Sequence, residues 1–427
     1  MDYPEALAYL DRHIILGIKP GLERIEELLD YMGRPEDGYP IIHVAGTNGK
    51  TSTSRLATLL LVAHGLNTGT YTSPHLQKVE ERLSINGRSA SEEEFALAIS
   101  DVAAFADLRK KAGGEANTYF ELTTAAAFAF FADQAVNAAV LEVGLGGRLD
   151  ATNVVDAEVC VLTSIGIEHT EYLGEDVASI AGEKLAIAGP NSILVSGPLP
   201  DAALEVAEGR ARDLGIHHRR YGRDFSVLDA ERGVAGWLTT IGGAEETYED
   251  LFLPLHGRYQ LVNLANAVAA TEALLGRKLD EEGVRDAVAA ATVPGRMEVL
   301  GTHPLVMVDG AHNADGVVAL AESLEEEYPT TRWQLVLGVM GDKNVEAMVE
   351  SLSPLLAGII TTAPQSERAV PPSLLAERIG GLVDTPVLVA EDVELALDMA
   401  RAEAGPEGAV LVAGSLYLVG EARELLV

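Results

Sequence analysis

Short apolar runs alternate with stretches of helical period along most of the chain, and that alternation leaves few folds open. Strands separated by helices pair in parallel, because a crossover helix returns the chain to the same end of the sheet. Ile41-Ile42-His43-Val44-Ala45 reads as a buried strand. Residues 51–63 follow it with Leu56, Leu59, Leu60 and Ala63 at helical spacing. Residues 138–143 and 158–163 are further strands, and 261–274 is helical and Ala-rich. Between 221 and 253, Gly, Thr and acidic residues break any long period, which predicts short strands or an insertion. A seam falls at Ala291-Thr292-Val293-Pro294-Gly295. Beyond it, strand-like runs at 305–308, 334–337, 358–362, 386–390 and 409–413 are separated by helical segments at 315–327, 345–355 and 393–404. Two α/β domains are expected, residues 1–294 and 295–427, the second a doubly wound unit of ordinary size. Glu325-Glu326-Glu327 reads as a solvated helix end.

Composition narrows the function classes. The 427 residues carry 31 Lys and Arg against 65 Asp and Glu, a formal charge of −34. Phosphate backbones need a cationic stripe, so a nucleic-acid binder is excluded as the default. With 48% hydrophobic residues the chain can bury large cores and is not a disordered one. The single Cys160, in an apolar run, reads as a buried structural thiol. No cationic-then-apolar leader opens the chain, and no uncharged apolar stretch is long enough to span a membrane. A soluble cytoplasmic protein is expected. Eight of the 31 basic residues are Lys, leaving 23 Arg. Scarce Lys with surplus acid fits a salt-rich cytoplasm and fits GC-rich coding equally well.

Gly46-Thr47-Asn48-Gly49-Lys50-Thr51-Ser52 lies between a predicted strand and a predicted helix. Such a turn aims backbone N–H groups and a helix N-terminus at polyphosphate. Lys50 would neutralise it, and Thr51 or Ser52 would stand near Mg²⁺. Val44 stands where the strict phosphate-loop pattern has its first Gly. Glu142 ends an apolar strand and is followed by Gly144, Gly146 and Gly147. A buried carboxylate there needs a cation or metal, although a Gly-rich turn with a surface Glu gives the same letters. His169, after the strand at 158–163, and Ser73, after Gly69-Thr70-Tyr71, also fall at strand carboxyl ends, where open α/β sheets bind ligands. Together Ser73, Glu142 and His169 would give mixed O/N ligation of Mg²⁺. In the second half Asp309, His312 and Asn313 follow a strand and Arg296 lies at the seam. They read as nucleotide contacts or, more plainly, as a polar loop and a linker Arg.

These segments, taken in order, resemble the folylpolyglutamate synthase and dihydrofolate synthase family within the Mur-ligase-like ATP-dependent amide ligases. The resemblance runs essentially end to end. It includes Gly17-Ile18-Lys19-Pro20-Gly21-Leu22-Glu23-Arg24, residues 43–50, residues 72–76 with Glu81-Arg82, and Thr118-Tyr119-Phe120-Glu121. It continues through residues 141–154, 163–174, Glu183-Lys184, 257–263, Gly295-Arg296, 309–313 and Gly414-Ser415-Leu416-Tyr417. The resemblance implies an N-terminal phosphate-loop domain with a mostly parallel sheet and a smaller Rossmann-like C-terminal domain. It further implies that ATP phosphorylates an acceptor carboxylate and that L-glutamate attacks the acyl phosphate. Thr47 to Ser52, Asn263, Arg296 and Asp309 would bind ATP, with His312 beside them as a catalytic candidate along with Lys50 and Lys184. Ser73, Glu142 and His169 would hold two Mg²⁺ ions. Lys184 would be a carbamate; without the resemblance it is a surface lysine paired with Glu183. Thr118, Tyr119, Phe120, Glu121, Leu149, Asp150 and Ala151 would line the pocket for a pterin or folate acceptor. No partner chain is implied, so a monomer is expected. Thr51 stands where the family's loop usually has Gly, and Leu185 where Ala usually follows the lysine. The first departure leaves open a different acceptor, such as a cell-wall precursor. A nucleotide-binding regulator without turnover is disfavoured by the intact Lys50, Glu142, His169 and Lys184.

Overall fold

The computed structural model describes residues 1–17, 19–341 and 343–427. Ile18, within the 17–24 segment, lies outside them. The chain divides into two compact units, residues 1–231, 238–253 and 261–291, and residues 232–237, 254–260 and 292–427. Among the described residues no helix is long and apolar enough to cross a membrane.

The first unit is built on an eight-stranded sheet. Its strands are β1 (Ile41–Ala45), β2 (Thr68–Tyr71), β3 (Leu83–Ile85), β4 (Arg88–Ser89), β5 (Ala138–Glu142), β6 (Val159–Leu162), β7 (Ile193–Ser196) and β8 (His218–Arg220), in the order β4-β3-β2-β5-β1-β6-β7-β8. From β2 to β8 in that order the pairing is parallel, and only β3 and β4 run antiparallel at one edge. β1 and β5 are buried at every residue, which is why, His43 and the terminal Glu142 apart, they read as apolar runs without alternation. β1 lies between β5 and β6, with Val44 opposite Glu142 and Ala45 opposite Leu162. That register brings the loops leaving β1, β5 and β6 to one edge of the sheet.

Local sequence starts the helices that cover it. Ser91 and Glu94 form a reciprocal capping box at Glu92–Lys111, and Thr118 and Glu121 form one at Tyr119–Asp133. Phe95, Leu122, Phe128 and Phe131 bury completely or nearly so, each contributing roughly 1.5–3 kcal/mol. The stretch read as short strands or an insertion is three strands in a separate sheet, β9 (Ser226–Gly233), β10 (Gly236–Gly242) and β11 (Thr247–Leu253).

The second unit holds a six-stranded sheet, β12 (Glu298–Thr302), β13 (Leu305–Asp309), β14 (Trp333–Leu337), β15 (Leu356–Thr361), β16 (Val387–Val389) and β17 (Ala409–Ala413), ordered β12-β13-β17-β14-β15-β16. The anticipated strands pair in parallel, and β12 adds an antiparallel edge on β13. β12 escapes a pattern reading because Glu298-Val299-Leu300-Gly301-Thr302 is half-exposed and carries no apolar run. One expectation is corrected here. Glu325 and Glu326 are exposed, but Glu327 is buried, accepting from Gly257 N at 2.6 Å and lying 2.6 Å from His256 Nδ1. A carboxylate can leave solvent at a helix end when it gains partners of this kind.

Candidate active site

The turn after β1 is locked by its neighbours. Thr47 N donates to Ser164 O, its hydroxyl exchanges hydrogen bonds with Gly166, and Asn48 N donates to Ser164 Oγ at 2.9 Å. Gly49 enters the helix Lys50–Ala63 with φ +85°, and a Cβ there would strike Asn263 Oδ1. Only glycine suits both the left-handed backbone and that approach, so Asn263 lies against the loop. Lys50, half-buried, donates to the carbonyls of Gly46 (2.9 Å) and Thr47 (3.1 Å). Its ammonium therefore sits over the turn, beside the N–H groups that open the helix.

Glu142, last residue of β5, is 1% exposed. The Thr51 hydroxyl donates to it, lying 2.9 and 3.0 Å from its two oxygens, and Ser73 N donates at 3.4 Å. Ser73 Oγ is itself buried with no hydrogen-bond partner. His169 is placed differently from these two. It is exposed, has φ +48°, and caps the short helix Thr170–Leu173 through its backbone carbonyl. Among the described residues no set of three His, Cys, Asp or Glu side chains is already grouped as a metal cage.

Lys184 ends the helix Val177–Lys184 and is 3% exposed, so it is not a surface lysine. Its ammonium donates to Glu168 Oε1 at 2.8 Å and Gly46 O at 3.1 Å, while Glu183 pairs instead with Arg148. Burial pushes the Lys184 amine below its ordinary range, against the pull of Glu168 and with the push of Lys50. Burial would raise the Glu168 carboxyl, but Lys184 and Lys50 together hold it below the usual value. The pair is thus favourable for the carboxylate and strained for the cation.

Beside this edge opens a cavity of about 370 Å³. Thr118, Phe120, Glu121, Leu149, Asp150 and Ala151 line it, together with Ser73, Pro74, Arg82 and Lys19. Tyr119 stands off the wall, with the Arg82 guanidinium 5.4 Å from its ring centre. Glu121 is held by Arg24 at 2.7 Å as well as by its capping role. Asp150 accepts from Leu145 N (2.8 Å), Thr152 N (3.0 Å) and Thr152 Oγ1 (2.5 Å), and His43 Nε2 reaches the same hydroxyl at 2.8 Å. Burial nonetheless raises the Asp150 carboxyl above its ordinary range. Gly147 packs so tightly on the carbonyls of Glu183 and Lys184 that a Cβ would lie 2.6 and 2.7 Å from them. The cavity's Gly-rich wall therefore rests on the Lys184 helix.

In the second unit, Asp309 ends β13 with both oxygens engaged. Oδ2 accepts from Met297 N (2.8 Å) and Tyr259 Oη (3.3 Å), and Oδ1 from Ala311 N (2.7 Å). Burial raises its carboxyl even so, with Arg296 opposing. Arg296 donates to Gly295 O at 3.0 Å, and His312 Nδ1 lies 2.7 Å from Gly310 O. Asn263 belongs to the first unit, whereas Arg296, Asp309 and His312 belong to the second.

Residues 44–271 match the Mur ligase middle domain and residues 295–416 the Mur ligase glutamate ligase domain. The dihydrofolate synthase/folylpolyglutamate synthase of Mycobacterium tuberculosis is 39% identical over 96% of this chain and 90% of its own length. The chain belongs to the folylpolyglutamate and dihydrofolate synthase family of Mur ligases. A solved M. tuberculosis folylpolyglutamate synthase complexed with ADP superposes with a TM-score of 0.94, at 37% identity, covering 100% of this chain and 99% of that one. The E. coli FolC structure in complex with DHPP and ADP superposes at 0.88, with 30% identity and coverage of 100% and 97%. As a member of this family the chain is an ATP-dependent ligase.

Sequence reasoning passed over two groups of this ligase. Glu168 lies in the 163–174 segment, yet nothing in the sequence links it to Lys184. Arg82 was quoted only as part of a matching segment. Its charged neighbours Lys78, Glu80 and Glu81 make the segment read as a solvated turn, so no sequence signal sets Arg82 apart.

Proposed function

We propose that this ligase joins L-glutamate to a pterin-bearing acid, either dihydropteroate or the γ-carboxylate of a reduced folylpolyglutamate. One observation carries the reading. Ser73 belongs to the cavity wall and also donates to Glu142, beside the phosphate loop, so an acid held in the cavity meets the phosphate end of the site. An acceptor carboxylate oxygen attacks the γ-phosphorus of ATP, ADP leaves, and the glutamate amine then displaces phosphate from the acyl phosphate. Phosphoryl transfer needs charge neutralisation and alignment. Lys50 and the amides of Gly49 to Ser52 supply both, Thr47 and Asn48 hold the turn in place, and Asn263, Arg296 and Asp309 are further ATP contacts with His312 beside them.

The donor set suits a hard cation. Glu142 is a buried carboxylate, Ser73 Oγ a buried oxygen without a partner, and both are oxygen ligands. Two Mg²⁺ ions, with His169 as an added ligand, would screen the phosphates and align the attacking oxygen. A carbamate on Lys184 would exchange the strained ammonium for an anion and dissolve its pair with Glu168. Lys184→Ala should then be nearly inactive but partly restored by acetate, whereas acetate should do nothing for Lys184→Arg. Equal silence of both variants toward acetate excludes the carbamate. The division at 294/295, a monomeric working unit and a cytoplasmic setting complete the proposal. The deciding experiment supplies ATP, Mg²⁺ and glutamate with dihydropteroate or a reduced folate and resolves products by mass. Glutamate-dependent ADP release with neither acceptor overturns the reading.

A further inference from the structure

Arg82 is 8% exposed and lines the acceptor cavity, yet no ion pair involves it among the described residues. Its Nε donates to His75 Nδ1 at 3.0 Å, and its guanidinium lies over the Tyr119 ring. Because Nδ1 accepts that bond, His75 is the neutral tautomer with its proton on Nε2. Half-buried Arg24 is matched by Glu121 and buried Lys184 by Glu168, while Lys19 on the cavity wall is exposed. Arg82 thus presents a full positive charge to a largely apolar cavity. Among the described residues its two terminal nitrogens hold no hydrogen bond to the protein and are not sealed off, whereas Arg109 Nε and Arg210 Nε are.

We infer that Arg82 is the residue that recognises a carboxylate of the acceptor acid. A planar guanidinium, fixed at Nε and stacked on one face, has a single remaining edge, and that edge matches a carboxylate in bidentate geometry. The inference deepens the proposed function and rests on it. Two carboxylates could fill the role. One is the reacting group, present in every acceptor. The other is the α-carboxylate, which only a glutamylated acceptor carries.

The test first establishes wild-type turnover with dihydropteroate and with a reduced folate. Failure at that step strikes the ligase reading and not Arg82. Arg82→Gln and Arg82→Lys are then compared for KM toward each acceptor, ATP and glutamate, with melting temperatures recorded. Loss of one charge-assisted pair should raise acceptor KM about ten- to hundredfold while ATP KM stays within twofold. Arg82→Lys keeps charge and fold but not the bidentate edge, so it should recover only part of the loss and serves if Arg82→Gln does not fold. Equal losses on both acceptors identify the reacting carboxylate. A loss confined to the folate, matched in wild type by a folate α-carboxamide, identifies the α-carboxylate. Unchanged acceptor KM in Arg82→Lys and in folded Arg82→Gln overturns the inference, as does a loss shared equally by ATP and glutamate.

Discussion

His43 shows how much a single side chain can commit. It sits in the middle of β1, fully buried, and donates from Nε2 to Thr152 Oγ1, which in turn donates to Asp150. Burial alone lowers its pKa to about 3. The unfolded chain takes up a proton near pH 6.5 that the folded chain refuses, so stability is full above that value and is lost as pH falls toward 3. Between pH 6.5 and 5 the loss from this one residue should be about 2 kcal/mol. His43→Gln can keep a donor toward Thr152 but cannot titrate. Its denaturation midpoint should therefore fall less between pH 7 and pH 5 than that of wild type. Identical acid sensitivity in the two proteins would remove His43 as the cause. At this scale the sequence is partly transparent. Glu142 announced itself, because a carboxylate ending an apolar strand is costly without a purpose. Lys184 did not reveal its partner, because the pairing with Glu168 depends on how a loop and a helix turn back on β1.

Elements were legible where one force dominated. β1, β5, β6 and, in the second unit, β17 are buried at every residue, and an apolar run in a helix-strand alternation can mean little else. β12 escaped reading and Glu327 was misread for a shared reason: each is an edge or end whose state depends on what lies opposite. The segment 118–121 carries two jobs at once. Thr118 and Glu121 cap the helix on which Phe120 lines the cavity, so a fold signal and a site signal occupy the same four letters. At the carboxyl end of β5, Glu142→Gln keeps the hydrogen bonds to Thr51 and Ser73 nearly isosteric while removing charge. Its activity should need more Mg²⁺ for half-saturation, and its maximal rate should fall by about two orders of magnitude. His169→Ala should shift the Mg²⁺ titration in the same direction. Unchanged titrations in both variants would make these residues structural.

Across the whole molecule the charge of −34 is carried by a surface with few ammonium groups, since two of the eight lysines, Lys50 and Lys184, are drawn into the site. Self-repulsion on this scale is relieved by screening. Melting temperature and activity should therefore rise with KCl into the molar range, and a flat or falling response would assign the Arg-rich, Lys-poor composition to codon usage. Where the acceptor cavity meets the phosphate edge, heredity has less room than on the surface. Ser73 is masonry for two rooms: it lines the cavity while its backbone N–H holds Glu142, so moving its backbone to fit a new acid also disturbs Glu142. Changes of acceptor in descendants of this chain should accordingly accumulate at Leu149 and Tyr172, exposed residues on the cavity wall.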